Sequence, residues 1–317
     1  DNGSVDITLA SVPSTYDVID VAFGATNTDT STILFSVYSV ESQAQFITDL
    51  AALKAQGKYV LLSIGGASGN VALNTSTDIS NFVNSVSGLM TQYGFNGIDI
   101  DIENNSFTMG GSDTDYTKPM TTTTINMINA LHQLASKFPG FVLTFAPQLD
   151  EVQGGAVAYS GAWGDQVPLL YGCKDIMTYV AVQDYNTGGV TALDGNTYNA
   201  GTADFHTAMT EMLLYGFKLG NGQQFPAFAP GQVVFGVPAG AQAASSGVTP
   251  PSAVLQSLEY LIQGISYGGA YTLRTPSGYP GMRGLMTWSI NWDDVNGWAL
   301  AGVTAPYLHS LPSIGGI

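Results

Sequence analysis

The most informative segment of this chain is Asn96-Gly97-Ile98-Asp99-Ile100-Asp101-Ile102-Glu103. Apolar and acidic residues alternate in it with a period of two, which is the side-chain period of a β-strand. The three isoleucines therefore point to one face of the strand, and the three carboxyls point to the other. Because an apolar strand face is typically buried against helices in an α/β protein, we predict a strand over residues 97–103 with acidic groups on its second face.

Three carboxyls on one strand face allow three interpretations. At the surface of a sheet they would form a solvated face. A calcium loop is a second reading, but Asn104 stands where such a loop needs glycine, and no His or Cys lies close by to supply zinc ligands. Inside a barrel the carboxyls would approach the C-terminal mouth, where barrel enzymes keep their active sites. We favour the third interpretation and expect no metal site.

Buried carboxyls of this kind favour acid–base chemistry. Burying three like charges is costly, so at least one of the groups should stay protonated. A neutral acid beside an anion is a common catalytic pair. Glu103, which is nearest the mouth, is the candidate acid; Asp101 is its modulating neighbour, and Asp99 lies deepest.

The rest of the chain alternates apolar runs with longer amphipathic segments, which is the pattern of βαβ units. Strands are predicted at 18–23, 59–64, 97–103, 141–146, 176–183, 233–237 and 284–289. Helices are predicted at 41–54, 79–93, 120–137, 202–217, 252–265 and 295–308. A closed TIM (β/α)8 barrel has eight strands, and segment 5–10 is a weak candidate for the eighth. No linker or tandem repeat divides the chain, so we predict one catalytic (β/α)-barrel domain over residues 1–317.

The composition excludes several classes of protein. Hydrophobic residues make up 45% of the 317 residues and charged residues 10%, which excludes a disordered chain. The net charge of −16 disfavours nucleic acid and anionic membranes as partners. No apolar run is long enough to span a bilayer, and the chain opens at Asp1, so we expect a mature secreted protein. We also expect a monomer that needs no cofactor.

The acidic strand resembles the Asp-Gly-x-Asp-x-Asp-x-Glu signature of family 18 glycoside hydrolases, with Asn96 in place of the first aspartate. Four further segments are similar to that family in the expected order. These are Ser63-Ile64-Gly65-Gly66, Ala146-Pro147-Gln148, Tyr179-Val180-Ala181-Val182-Gln183-Asp184-Tyr185-Asn186 and Met286-Thr287-Trp288-Ser289. The third of them is close to plant class III and related short microbial chitinases.

The resemblance implies a substrate-assisted mechanism. Glu103 would protonate the glycosidic oxygen while the N-acetyl carbonyl of the substrate attacks the anomeric carbon to form an oxazolinium intermediate. Asp101 would hold the acetamide nitrogen, Asp99 would tune Asp101, and Tyr185 would hold the acetamide oxygen. Trp288 would form the floor under the sugar. The implied substrate-binding residues are Gln148, Gln183, Asn186 and Trp288. Met177 is a further candidate, and Trp292 is a candidate for stacking on a sugar because it lies just past the last predicted strand.

The implied activity is retaining, endo-type hydrolysis of β-1,4 linkages between N-acetylglucosamine units in chitin or chito-oligosaccharides. Two alternatives remain open: an endo-β-N-acetylglucosaminidase acting on the chitobiose core of N-glycans, and a non-catalytic chitin-binding lectin or inhibitor. The Tyr185 segment and Trp288 favour the chitinase over the first, and the intact acidic set argues against the second.

The resemblance also bears on the ends of the barrel. In similar chitinases a first strand ends just before a segment like Asp1-Asn2-Gly3-Ser4, so we expect that strand to be missing or replaced at the N-terminus. The segment between Val237 and Gly284 is too short for the α+β insertion that deepens the groove of many exo-acting relatives. A shallow, open cleft is therefore predicted.

Overall fold

A computed structural model describes residues 4–313 of the chain. Its contacts separate the chain into two compact units. The N-terminal unit comprises Asp6–Pro147 and Ser160–Thr178; the C-terminal unit lies within Asp1–Val5, Gln148–Tyr159 and Tyr179–Ile317. The prediction of a single domain over residues 1–317 stays a prediction.

Short strands alternate with helices in both units. The strands within residues 4–313 are β1 (Val18–Gly24), β2 (Tyr59–Gly66), β3 (Gly97–Ile102), β4 (Val142–Phe145), β5 (Tyr179–Gln183), β6 (Phe217–Lys218), β7 (Gln224–Phe225), β8 (Val233–Pro238) and β9 (Gly284–Trp288). The α-helices there are α1 (Gln43–Ala55), α2 (Ser76–Tyr93), α3 (Thr122–Lys137), α4 (Leu149–Val152), α5 (Val167–Gly172), α6 (Ala203–Tyr215), α7 (Pro251–Gln263), α8 (Ile290–Val295) and α9 (Ala299–Ser310). Short 3₁₀ turns occupy Leu9–Ser11, Gln153–Ala156 and Pro230–Gln232.

The N-terminal unit is built on the parallel strands β1, β2, β3 and β4, paired in that order. Ile98, Ile100 and Ile102 of β3 are buried, as the alternation predicts for a face packed away from water. Helix α2 begins three residues before its predicted start because Thr75 and Asp78 form a capping box, in which the Asp78 amide donates to the Thr75 hydroxyl at 3.2 Å and the Asp78 carboxylate accepts from the Thr75 amide at 2.8 Å.

The C-terminal unit contains the parallel strands β5, β8 and β9, paired in that order. Two carboxylates of α6 hold the long segment between α7 and β9. Asp204 accepts the Ala270 amide at 2.9 Å, and the buried Glu211 accepts the Tyr271 hydroxyl at 2.6 Å and the Arg274 amide at 2.7 Å. Every residue from 239 to 283 is described, and α7 is the only helix or strand among them, so the predicted lack of an α+β insertion is confirmed.

The seven long strands correspond to the seven predicted ones, and within residues 4–17 no strand precedes β1. The candidate segment 5–10 was wrong: its end enters the 3₁₀ turn Leu9–Ser11. Asp1, Asn2 and Gly3, on which the expected position of a first strand depends, lie outside the described residues. The predicted helix 202–217 ends at Tyr215, because Gly216 has a φ of 83° and Phe217 pairs with Phe225 in a two-stranded hairpin.

Candidate active site

Asp99 lies at the centre of three strands. It is in register with Ser63 of β2 and Thr144 of β4, so the three side chains share one face of the sheet. The Ser63 hydroxyl donates to Asp99 Oδ2 and the Thr144 hydroxyl to Oδ1, both at 2.7 Å. Burial raises the pKa of Asp99, and these two hydrogen bonds oppose the rise because they favour the charged form. The family resemblance assigned no role to Ser63, whereas in the structure its hydroxyl contacts the deepest carboxyl.

Asp101 lies two residues further along β3, on the same face, and is also buried. It is in register with Gly65 of β2. A Cβ at Gly65 would stand 2.2 Å from the backbone oxygen of Asp101, and Gly65 has a φ of 118°. Only glycine allows this approach, so the backbones of β2 and β3 pack closely at Gly65.

Glu103 follows the last residue of β3 and is half-buried. The backbone just before it is anchored from α5, since the buried Gln166 donates through Nε2 to the carbonyl of Ile102 at 3.0 Å. The loop after Glu103 turns back on itself, with the Ser106 amide donating to the Asn104 side-chain oxygen at 3.1 Å. The three carboxyls therefore range from Asp99, which is buried, to Glu103, which is partly accessible to solvent.

Asp20 of β1 is a fourth carboxyl on this face, and the sequence analysis did not single it out. It is in register with Leu61, which pairs with Gly97, so it lies two positions before Asp99 on the shared face. Its Oδ1 is buried and accepts no hydrogen bond within residues 4–313. Burial raises the pKa of Asp20 well above its usual range, and the nearby charge of Asp99 on β3 adds to that rise. The feature of the sequence that could have identified Asp20 is its position as a single aspartate in an otherwise apolar predicted strand.

The raised pKa of Asp20 gives a pH-dependent prediction for stability. A carboxyl whose pKa is higher in the folded than in the unfolded protein stabilises the fold at low pH, and that stabilisation is lost as the pH rises through the folded value. Asparagine is never charged, so Asp20→Asn is expected to have a higher Tm than the wild type at pH 7.5. The gain should be about 2–4 °C for each kcal/mol of buried-charge cost removed. Thermal unfolding at pH 7.5 and pH 4 measures it.

The difference in Tm should shrink at pH 4, where wild-type Asp20 is protonated. Asp17→Asn, at an exposed position of the same segment, is the control and should leave Tm unchanged at both values. A Tm for Asp20→Asn that falls equally at both pH values would contradict the buried-charge account.

The C-terminal unit positions the sugar-binding candidates at the end of β5. Gln183 is buried and forms an isolated parallel bridge with Gln148. Tyr185 is buried two residues later. Asn186 is exposed and adopts a φ of 53°, and its side-chain oxygen accepts both the amide and the hydroxyl of Ser245 at 2.8 and 2.9 Å. The structure thus uses the Asn186 oxygen to hold a loop.

The remaining candidates differ in their exposure. Trp288 at the end of β9 is half-buried, whereas Trp292 of α8 is buried with only 9% of its surface exposed. Trp292 therefore offers less ring surface to a sugar than Trp288 does. Met177 of the N-terminal unit is buried, and its amide donates to the carbonyl of Cys173 at 2.8 Å.

Residues 4–313 were also considered as a metal site and as a membrane span. No group of three or more His, Cys, Asp or Glu side chains in that part of the chain is arranged to hold a metal ion. None of the helices described there combines the length and the apolar character needed to cross a bilayer. Cys173 is buried, and burial raises the pKa of its thiol.

Comparison with known proteins gives a consistent family. The model of Glycosyl hydrolases family 18 matches residues 2–258. Chitinase Chi52 of Paenibacillus xylanexedens is 44% identical over 315 residues, which cover 98% of this chain and 60% of that protein. The Probable class II chitinase of Arthroderma benhamiae is 37% identical over 98% of this chain and 97% of its own length.

A solved structure extends the likeness to the fold. The crystal structure of a family GH18 chitinase from Chromobacterium violaceum matches with a TM-score of 0.87 at 37% identity, over 95% of this chain and 79% of that one. This likeness confirms the predicted (β/α)-barrel class. The chain spans 60% of the length of the Paenibacillus relative. The chain belongs to family 18 of the glycosyl hydrolases.

Proposed function

We propose that this protein hydrolyses β-1,4 linkages between N-acetylglucosamine units of chitin, with Glu103 as the general acid and base. One observation carries the proposal. Asp99 and Asp101 lie buried on one face of β3, where two hydroxyls hold Asp99, and Glu103 follows the end of the strand at a half-buried position. A catalytic acid needs this arrangement, because it must be accessible to the glycosidic oxygen while its neighbours are screened from water. Membership of family 18 and the chitinase names of its relatives support the same reaction.

The proposed reaction proceeds in two steps with retention of configuration. Glu103 gives its proton to the glycosidic oxygen as that bond breaks, and the acetamide carbonyl of the substrate bonds to the anomeric carbon to form an oxazolinium ion. Asp101 accepts a hydrogen bond from the acetamide N–H and stabilises the positive charge that develops there. Glu103 then takes a proton from water, whose oxygen attacks the same carbon from the other face as the bond from that carbon to the acetamide oxygen breaks and the acetamide is restored. Asp99, which lies two residues before Asp101 on β3, holds that part of the strand and thereby the position of Asp101.

The other candidate residues are proposed to bind the sugar. Tyr185 holds the acetamide oxygen, and Trp288 supplies the apolar surface under the pyranose ring. Gln148 and Gln183, which lie side by side, offer amide groups to sugar hydroxyls. Asn186 contributes through its amide nitrogen, since Ser245 engages its oxygen. Met177 and Trp292 contribute apolar surface from more buried positions.

The cleavage is proposed to be endo-type, because the segment between β8 and β9 carries only α7 and loops and so adds no further domain that would enclose the end of a polymer. The net charge of −16 suits a neutral polysaccharide better than an anionic polymer. We further propose that the protein is secreted and works as a monomer without a cofactor.

A chito-oligosaccharide assay tests the proposed function. N-acetylglucosamine pentamer incubated with the protein should yield dimer and trimer when the products are separated by chromatography. Dimer as the sole product from the first seconds on a long polymer would contradict endo-type cleavage. If the pentamer stays intact, cleavage of a high-mannose glycopeptide would instead identify an endo-β-N-acetylglucosaminidase, and binding without cleavage of either would identify a lectin.

Trp163 adds a prediction about long substrates. Its side chain is 43% exposed in the loop before α5, and Ser160 and Trp163 exchange backbone hydrogen bonds of 3.1 and 3.3 Å that fix this loop. The Met109 amide donates to the carbonyl of Gly161 at 2.9 Å, so the loop is tied to the segment that follows Glu103. A rigid exposed indole at this end of the strands is suited to stack on a sugar ring.

Trp163→Ala is therefore expected to raise KM for the hexamer about 5- to 10-fold, which corresponds to roughly 1 kcal/mol of lost aromatic burial. The dimer, which does not reach an outlying site, should bind with unchanged affinity. Steady-state kinetics on the hexamer and the inhibition constant of the dimer measure the effect, with Tyr215→Ala as a control that removes another exposed ring. An equal loss of affinity for the dimer and for the hexamer would contradict stacking at an outlying site.

A further inference from the structure

A buried chain of polar side chains lies directly behind Tyr185 in the C-terminal unit. The carboxylate of Asp184, the residue before Tyr185, forms a hydrogen bond of 2.9 Å with Nδ1 of His206 in α6. His206 Nε2 lies 2.8 Å from the hydroxyl of Thr249, which precedes α7. The three residues are 1%, 0% and 5% exposed, so this chain, the Asp184–His206–Thr249 network, is shielded from water.

The hydrogen-bond directions fix where the protons lie. The carbonyl of Gly247 can only accept, so the Thr249 hydroxyl donates to it across 2.9 Å. The Thr249 oxygen must then accept from His206, which places a proton on Nε2. One further proton occupies the link between Nδ1 and Asp184, so the pair has no net charge whichever atom holds that proton. Burial raises the pKa of Asp184 while the contact with His206 opposes that rise.

Stability alone does not explain such a network. Buried polar pairs are often replaced by apolar residues of similar volume at no cost or with a gain. The environment here would accept that change, because the His206 ring stacks on Phe235 at 5.3 Å with an interplanar angle of 20° and also contacts Phe205. A functional reason for a histidine at this position must come from what the network holds in place.

The network ends at a loop that packs on the Tyr185 segment. A Cβ at Gly247 would stand 2.7 Å from Tyr185 Cα and 2.8 Å from its Cβ, so the loop backbone touches Tyr185. The Asn186 amide donates to the carbonyl of Ser246 at 3.3 Å, and the Thr187 amide donates to the Ser246 hydroxyl at 3.1 Å. Thr249 anchors this loop, residues 245–249, to α6 through His206.

We propose that the Asp184–His206–Thr249 network positions Tyr185 and Asn186 for the acetamide group of the substrate by clamping loop 245–249 against them. The three residues are positioning residues, since they act through Tyr185 and Asn186 and not on the sugar. The inference rests on the proposed function for its catalytic consequence, but the clamping itself can be observed without substrate.

Two variants of Thr249 test the proposal. Thr249→Val keeps the shape and removes the hydroxyl, whereas Thr249→Ser keeps the hydroxyl. Thr249→Val is expected to raise KM for N-acetylglucosamine pentamer about 10-fold with a smaller change in kcat, and Thr249→Ser should restore the wild-type KM. Thr304→Val is the matched control, because Thr304 is also buried but its hydroxyl donates to the Leu300 carbonyl within α9 at 2.9 Å, away from loop 245–249.

Amide hydrogen exchange provides the readout that needs no activity. Thr249→Val should speed exchange at the amides of Ser245, Asn186 and Thr187, and neither Thr249→Ser nor Thr304→Val should do so. Faster exchange at these amides in a protein that leaves chito-oligosaccharides intact would support the clamp and reject the proposed function. Unchanged exchange at the three amides, or a KM for Thr249→Val equal to that of Thr304→Val in an active enzyme, would overturn the proposal.

Discussion

Replacing Glu103 with glutamine is expected to lower kcat on N-acetylglucosamine pentamer by about 10³-fold, since general acid catalysis supplies roughly 10²–10⁴-fold in other enzymes. Glutamine is close to glutamate in size but has no acidic proton to give to the leaving oxygen. The substrate should still bind, because the proposed sugar contacts belong to other residues, so Kd for the pentamer should change by less than about threefold. Steady-state kinetics and calorimetric titration measure the two quantities.

Glu259→Gln is the matched control for this change. Glu259 is a partly exposed glutamate of α7 with no proposed part in the reaction, and its replacement should leave kcat at the wild-type value. A Glu103→Gln enzyme that retains more than about a tenth of the wild-type kcat would show that another group protonates the leaving oxygen.

Replacing Asp101 with asparagine is the second large change that the structure leads us to expect. Removing a group that stabilises developing charge typically costs about 10²–10³-fold in kcat. Asparagine cannot offset the positive charge that forms on the acetamide nitrogen, and that charge exists only in the transition state and the intermediate. The loss should therefore fall on kcat and leave KM within a few-fold of the wild type.

Asp113→Asn separates this chemical effect from the general cost of altering a buried aspartate. Asp113 is 4% exposed and accepts the Met120 amide at 2.7 Å in a loop after β3, so its replacement should lower Tm. The kcat of Asp113→Asn should stay near that of the wild type. An Asp101→Asn enzyme whose Tm falls as much as that of Asp113→Asn, with an unchanged kcat, would assign Asp101 a structural role.

The period-two alternation in residues 97–103 was sufficient to predict β3 and the buried face of its isoleucines. Both features depend on the local geometry of a strand, which neighbouring residues determine. The element ends were harder to predict. The capping box of Thr75 and Asp78 extends α2, and Gly216 stops α6, so side-chain hydrogen bonds and one backbone conformation override the apolar pattern.

Contacts between segments that are far apart in the chain could not be predicted from local sequence patterns. Asp20 stood inside a predicted strand, but its significance depends on Asp99, which comes much later in the chain. His206 belongs to no recognisable motif in the sequence, and only the fold shows that it joins Asp184 to Thr249. Ser63 was noted for its neighbouring glycines, whereas its hydroxyl bonds to Asp99. Sequence patterns predict which face a side chain occupies, and the fold determines which other side chain it meets.

Hydrolysis with retention through the acetamide of the substrate determines the anomeric form of the first product. Proton NMR during the first minutes of pentamer cleavage, before mutarotation, should show the β-anomer at the new reducing end, and the fully deacetylated pentamer should remain uncleaved. Initial formation of the α-anomer, or cleavage of the deacetylated pentamer at a comparable rate, would contradict the mechanism proposed for Glu103 and Asp101.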